Sequence, residues 1–119
     1  MSKDSSLREW RFYLHDMIGC CEKVLAFTQG FQQLRFQNDA MRFDATVRNV
    51  ELIGEAASHI PDAVRAAEPQ IPWRMLIATR NQLIHGYAGL DNDILWSIVA
   101  VDVPILLAQL LQMKTRYAT

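Results

Sequence analysis

The sequence predicts an all-α protein, an up-down four-helix bundle with a kink in its last helix. Apolar residues recur three and four positions apart in four separate segments, which is the spacing of amphipathic helices. No segment alternates apolar and polar residues between turn signals, and no Asn-Gly or Asp-Gly pair marks a hairpin. The length of 119 residues is that of one domain, so residues 1–119 are expected to form a single helical domain.

The first helix is predicted from about Ser6 to Gln29. Ser6 and Glu9 have the spacing of a capping box, in which each side chain binds a backbone N–H of the other's turn. Gly30 follows as a C-terminal stop, because glycine adopts the left-handed conformation that ends many helices. The next segment, Phe31 to Gln37, fits either a turn or a short helix.

The second helix is predicted from about Asp39 to Ile60, with Asn38 or Asp39 as its N-cap and Pro61 ending it. Gly54 lies in its middle, where a glycine costs up to about 1 kcal/mol relative to alanine. The simplest reason for a small residue there is the close approach of another helix.

The third helix is predicted to begin at Pro72 and to end near Ile84 or His85, followed by Gly86 as a C-terminal glycine. The fourth is predicted from about Asp93 to Arg116. Pro104 removes a backbone donor within it and should kink it near residues 100–102.

The fourth helix is apolar over most of its circumference. Polar residues such as Asp102 and Gln109 interrupt it, so we interpret it as a core helix and not as a membrane span. A single bundle has only one interior, and part of this surface therefore predicts a homodimer. The N-terminus has no apolar stretch of signal-peptide length, and a cytoplasmic protein without a membrane partner is expected.

The charge balance and the cysteine content of the sequence argue against several classes of function. Twelve Lys and Arg against thirteen Asp and Glu give a net charge of -1, which argues against coating nucleic acid through bulk charge but leaves room for a local basic site. Cys20 and Cys21 are adjacent, so a disulfide between them would be strained; we infer a reducing compartment and unreactive thiols. Cysteine spacings typical of metal sites are absent from the sequence, and neither a metal nor a cofactor is predicted.

Four polar residues do not fit an ordinary bundle: Arg80, Asn81, His85 and Tyr87. Asn81 and His85 share a helix face, whereas Arg80 and His85 are separated by about 140° on an ideal helix. Arg80 and His85 can converge only if the helix ends at Leu83 or Ile84, or if a second chain completes the site.

Such a set suits RNA cleavage by the substrate's own 2′-OH. Histidine can move protons near neutral pH, arginine can hold a phosphate as its charge grows, and asparagine or tyrosine can orient either group. The alternative is that an Arg and a His near a helix C-terminus only compensate the helix dipole.

The residues from Arg80 to Tyr87 form the pattern R-x4-H-x-Y, which resembles the signature of HEPN-domain ribonucleases of the HepT type. The resemblance extends from about Leu7 to Leu111. Its other landmarks are RN and IGEA at 48–56, IP at 60–61, IPW at 71–73 and YAGLD at 87–91. Gly86 is a departure, since relatives often have a polar residue at this position.

This resemblance implies a helical dimer in which two R-x4-H motifs form one composite cleft. It implies a metal-independent endoribonuclease toxin of a type VII toxin–antitoxin pair, with Arg80, Asn81 and His85 as catalytic residues. The paired antitoxin would be an MntA-like nucleotidyltransferase that transfers AMP to Tyr87 and silences the toxin. A second possibility is a non-catalytic HEPN subunit that binds a nucleotide or the nucleotidyltransferase.

Other polar and aromatic residues have two interpretations each. The second-helix face formed by Arg48, Asn49, Glu51 and Glu55 could approach the cleft and orient Arg80, or it could be an ordinary ion-pair face. His15 and His59 are expected to be surface or packing residues. The tryptophans at 10, 73 and 96 lie within apolar seams and are expected in the core or the dimer interface.

Overall fold

The computed structural model describes residues 3–85 and 91–118, with side chains from residue 9 onwards. Every regular element in these ranges is a helix. The helices are α1 (Lys3–Thr28), α2 (Gln33–Gln37), α3 (Ala40–Ser58), α4 (Asp62–Ala67), α5 (Trp73–His85), α6 (Asn92–Ser97) and α7 (Val103–Arg116). One π-helical turn, Ile98–Asp102, joins α6 to α7 without a break. The predicted all-α fold is confirmed.

The two ends of α1 differ in how well the sequence predicted them. The helix begins at Lys3, so Ser6 lies inside it and the predicted capping box at Ser6 and Glu9 is wrong. Polar residues without a strong breaker can extend a helix by a turn, and pattern alone does not locate such an end. Gly30 has a φ of 79°, and the predicted glycine stop after α1 is confirmed.

Asp39 is the N-cap of α3, one of the two residues predicted for this position. Its carboxylate accepts a hydrogen bond of 3.1 Å from the backbone N–H of Arg42 and pairs with the Arg42 guanidinium at 3.2 Å. These hydrogen bonds lower the pKa of the Asp39 carboxyl. The helix ends at Ser58, two residues earlier than predicted, because His59 and Ile60 instead form the turn that precedes Pro61.

Two short helices occupy the connections. The segment left open between turn and helix forms α2, and its Phe36 is buried between Phe43 and Trp96 at ring distances of 5.4 and 5.3 Å. The second short helix, α4, was not predicted; it has six residues and buries Val64. Helices this short contribute few apolar positions, so periodicity does not reveal them.

The last helix is interrupted where Pro104 predicted an irregularity, and the irregularity is the π-helical turn Ile98–Asp102. Pro104 follows directly in the first turn of α7. A π turn shifts the hydrogen-bond register by one residue, and such turns accommodate a proline's missing donor within a continuous helix.

The bundle is held by contacts of α1 with α3 and α7, and of α3 with α5. Trp10 and Trp73 are buried, as predicted for the core, and Trp96 is partly buried against it. Trp10 packs edge-on against Tyr117 at 5.0 Å, which ties the chain's end to α1. Both cysteines are buried free thiols, and burial raises the pKa of Cys21 to about 12.

The α6–α7 segment is apolar on its outer face as well as its inner one. Leu95, Val99, Leu106 and Leu110 are buried in the bundle, which matches its interpretation as a core helix. Val101 and Ile105 remain more than half exposed. By length and composition alone the segment Asn92–Arg116 could cross a bilayer, and about a third of its most apolar stretch is buried within the fold. The dimer that this exposed surface predicts stays a prediction.

A buried acidic residue, Glu68, closes the bundle at the C-terminal end of α4. It receives hydrogen bonds from Arg116, from Gln70 at 2.9 Å and from the Tyr117 hydroxyl at 3.3 Å. Burial alone would raise the pKa of the Glu68 carboxyl, but these hydrogen bonds and the Arg116 charge outweigh it and hold the pKa below its usual value. This cluster was not predicted, because Arg116 and Tyr117 are 48 and 49 residues away from Glu68 in the sequence.

Candidate functional site

Arg80 is held at the interface of α5 and α3. Its Nη2 lies 2.5 Å from Oε2 of Glu55, and its Nη1 donates to Oδ1 of Asn81 at 3.0 Å. Its Nε is buried and has no hydrogen-bond partner among the residues that the structure describes. A guanidinium has five N–H groups, so two outer N–H groups remain to donate to a ligand. The side chain is therefore anchored and retains donors for an anion.

Glu55 divides its two oxygens between different partners. Oε2 pairs with Arg80, and Oε1 lies 3.2 Å from Nε2 of His59, the residue that directly follows α3. The His59 ring stacks on Tyr13 of α1, with ring centroids 4.6 Å apart and planes inclined by 18°. A continuous series of contacts thus joins three helices, running from Tyr13 through His59 and Glu55 to Arg80.

Gly54 explains why Arg80 can lie so close to α3. A Cβ at this position would lie 2.4 Å from Cβ of Arg80 and 2.5 Å from the carbonyl oxygen of Leu76. Both contacts involve atoms on or next to the backbone of α5, so no side-chain rotation would relieve them. The prediction that Gly54 admits another helix is confirmed.

His85 is the last residue of α5 and is exposed. Arg80 and His85 of one chain were predicted to converge only if the helix ended at Leu83 or Ile84. Because α5 continues through His85, this condition is not met. Arg80 faces α3, and among the described residues neither a hydrogen bond nor an ion pair joins His85 to Arg80 or Asn81. Among the described residues, one chain brings Arg80, Asn81 and Glu55 together and leaves His85 apart.

Tyr87 and the residues around it, 86–90, lie outside the described residues, and the prediction for Tyr87 therefore stays a prediction. In the sequence it follows the last residue of α5 by two positions.

The four residues of the predicted polar face of the second helix have three different environments. Glu55 contacts Arg80, while Glu51 pairs at 3.1 Å with the exposed Arg48 of its own helix, as an ordinary ion-pair face would. Asn49 is buried; its Nδ2 donates to the carbonyl of Ala45 at 2.8 Å, and its Oδ1 has no partner among the described residues. Of these four residues, Glu55 is the one in contact with the Arg80 side chain.

No functional role was predicted for Tyr13 or His59. The i, i+4 spacing of Glu55 and His59 was a usable signal, because such pairs meet on a helix surface. The stacking of Tyr13 on His59 depends on the alignment of α1 with α3, which the sequence pattern does not reveal.

A groove of about 410 Å³ lies between α1 and α3, beside this chain of contacts. Its polar and aromatic lining residues are Tyr13, His15, Asp16, Lys23, Glu55 and His59. Cys20 lies at its floor, and burial raises the pKa of that thiol; the charge of Lys23 opposes the rise, the charge of Asp16 adds to it, and the charge of Arg48 opposes it. Among the lining side chains Lys23 is a cation, and Asp16 and Glu55 are anions.

Comparison with known proteins gives the family. The family model described as ribonuclease HepT-like matches residues 17–113, which include Glu55, Arg80, Asn81 and His85. The chain belongs to the HepT-like ribonuclease family. The expected family is thereby confirmed, and the chain is placed among ribonucleases.

Curated relatives of this HepT-like chain come from archaea and bacteria. The protein named "Putative RNase MJ1380" from Methanocaldococcus jannaschii is 37% identical over 99 residues, covering 83% of this chain and 91% of the relative. "Probable ribonuclease HepT" from Thermococcus cleftensis is 36% identical over 99 residues, covering 83% and 90%. No solved structure gives a significant match.

Proposed function

We propose that this HepT-like protein is a cytoplasmic, metal-independent endoribonuclease toxin that acts as a homodimer. The supporting observation is the geometry of α5: Arg80 is anchored on α3 by Glu55, and His85 is exposed at the end of the same helix. Arginine fixed in this way suits a phosphate, and an exposed histidine suits proton transfer. Since the two side chains do not meet in one chain, the proposal requires a second copy.

The reaction needs no group beyond RNA and these side chains. One His85 removes the proton of the 2′-OH, whose oxygen attacks the adjacent phosphorus. The bond from phosphorus to the 5′-oxygen breaks, and the second copy of His85 donates a proton to the leaving oxygen. The products are a 2′,3′-cyclic phosphate and a 5′-OH end.

Arg80 stabilises the added charge on the phosphorane, and Asn81 orients its guanidinium. Glu55 is a positioning residue, because it fixes Arg80 without reaching the phosphate itself. The other predicted residues of this face support the helix itself: Arg48 pairs with Glu51, and Asn49 is buried and packs within the bundle.

Incubation of the purified protein with total RNA in EDTA tests this proposal. We expect cleavage with 5′-OH ends and cyclic phosphates, and we expect the Arg80→Ala variant to lose it. Nucleotide binding without any cleavage would contradict the proposal and favour the non-catalytic subunit instead. Ends bearing a 5′-phosphate would contradict attack by the 2′-OH.

We further propose that an MntA-like nucleotidyltransferase antitoxin transfers AMP to the Tyr87 hydroxyl. Sequence position supports this: added phosphates two residues from His85 would occupy the site of RNA and compete for Arg80. The Tyr87 oxygen loses its proton to water and bonds to the α-phosphorus of ATP, the bond from this phosphorus to the β,γ-diphosphate breaks, and pyrophosphate leaves.

The Tyr87→Phe variant is expected to remain an active ribonuclease that the antitoxin cannot silence. Intact mass measured after incubation with the antitoxin and ATP should show added AMP on the wild type and none on this variant. Tyr117→Phe is the matched control and should accept AMP as the wild type does. Modification of Tyr87→Phe at the wild-type level would disprove the assignment.

A further inference from the structure

The groove between α1 and α3 is a second feature of the molecule that suits a nucleic-acid ligand. Its volume of about 410 Å³ is within the range of small-ligand sites, and it opens beside Glu55, the residue that holds Arg80. A strand whose phosphate lies on Arg80 would therefore have its neighbouring nucleotides within reach of this groove.

One end of the groove offers an aromatic surface. His59 stacks on Tyr13, and the His59 side chain is about half exposed (48%). Unpaired RNA bases are commonly bound by stacking on aromatic or histidine rings, with carboxylates accepting from base N–H groups. Asp16 and Glu55 supply such acceptors in the same groove.

The other end offers positive charge. Lys23 lines the groove and is exposed. Arg48 is exposed as well and lies one helical turn before Leu52, a lining residue of α3, where it pairs with Glu51. Arg48 lies on α3 and His59 directly follows this helix; the eleven residues between these positions span about 16 Å at the rise of an α-helix. Cations at one end and an aromatic ring at the other match a short extended strand, with phosphate at the first and a base at the second.

We propose that the α1–α3 groove binds the single-stranded RNA segment next to the scissile phosphate, with a base on His59 and backbone phosphate on Lys23 and Arg48. This inference rests on the proposed ribonuclease function and extends it to a substrate-binding subsite. It also accounts for recognition by a chain whose net charge is -1, because the required cations are local.

The test uses a short, fluorescently labelled 2′-O-methyl RNA, which cannot be cleaved, and measures its binding by anisotropy at several salt concentrations. Lys23→Ala is expected to weaken binding about fivefold and to reduce the salt slope by about one. Lys114→Ala removes an exposed lysine from the last turn of α7 and is expected to bind as the wild type does.

Two variants of His59 distinguish a role in stacking on a base from a role in positioning Arg80 through Glu55. His59→Ala is expected to weaken binding, and His59→Phe to restore it, because phenylalanine keeps the ring and removes the contact with Glu55. If stacking is the role, KM for cleavable RNA should follow the same order among these variants.

Equal binding and equal KM for Lys23→Ala and the wild type would overturn the groove proposal while RNA cleavage in EDTA would still support the ribonuclease. A change in oligomeric mass for Lys23→Ala, measured by light scattering, would instead identify the groove as an interface between copies and would also overturn it. Absence of cleavage by the wild type would count against the proposed function, whereas the binding comparison would still decide the groove.

Discussion

Replacing His85 by alanine is expected to lower the rate of RNA cleavage by about a thousandfold or more, with the fold retained. A positioned acid or base contributes about 10²–10⁴ to a rate, and in the proposed homodimer the substitution would remove both proposed proton-transfer groups at once. The side chain is exposed at the end of α5, so its removal leaves the core unchanged. The initial rate on a labelled RNA in EDTA measures the effect, with thermal unfolding to verify the fold.

The other interpretation of His85 gives a different result in the same experiment. If the imidazole only complements the C-terminal dipole of α5, its loss should cost about 0.3–1 kcal/mol of stability and leave the rate unchanged. Gln82→Ala, an exposed substitution on the same helix, is the matched control and should cleave RNA at the wild-type rate. A His85→Ala rate within about tenfold of wild type would remove His85 from the mechanism.

The sequence predicted the major helices because their signals are local. The glycine at 30, the cap at Asp39 and the proline at 104 act within one or two turns, and each marks the end or irregularity that the structure contains. The start of α1 and the existence of α4 have weaker local signals, and there the predictions failed.

The candidate site was only partly predictable for a physical reason. The separation of Arg80 and His85 around the helix follows from helix geometry alone, but whether α5 would continue through His85 does not. The contact of Glu55 with Arg80 depends on how α3 and α5 align, and the link to Tyr13 depends on α1 as well. Periodicity shows which face of a helix is buried and does not give the register between helices.

Gly54 links this register to both stability and activity. In an isolated helix, Gly54→Ala would gain up to about 1 kcal/mol from propensity. Here the added methyl would overlap Cβ of Arg80 and the carbonyl of Leu76, and separating two packed helices costs about 1–3 kcal/mol or more. We therefore expect the variant to lose about 1–2 kcal/mol in its free energy of unfolding, measured by urea denaturation.

The chain contains its own control for this prediction. Gly19 of α1 has no heavy atom within 4 Å of the position that a Cβ would take, so Gly19→Ala should be as stable as the wild type or more so, by up to about 1 kcal/mol. Moving α5 also carries Arg80 away from Glu55, and RNA cleavage by Gly54→Ala should fall further than the unfolded fraction explains. A Gly54→Ala protein that gained stability as Gly19→Ala does would show that α3 and α5 do not pack this closely, and the anchoring of Arg80 by Glu55 would be disproved with it.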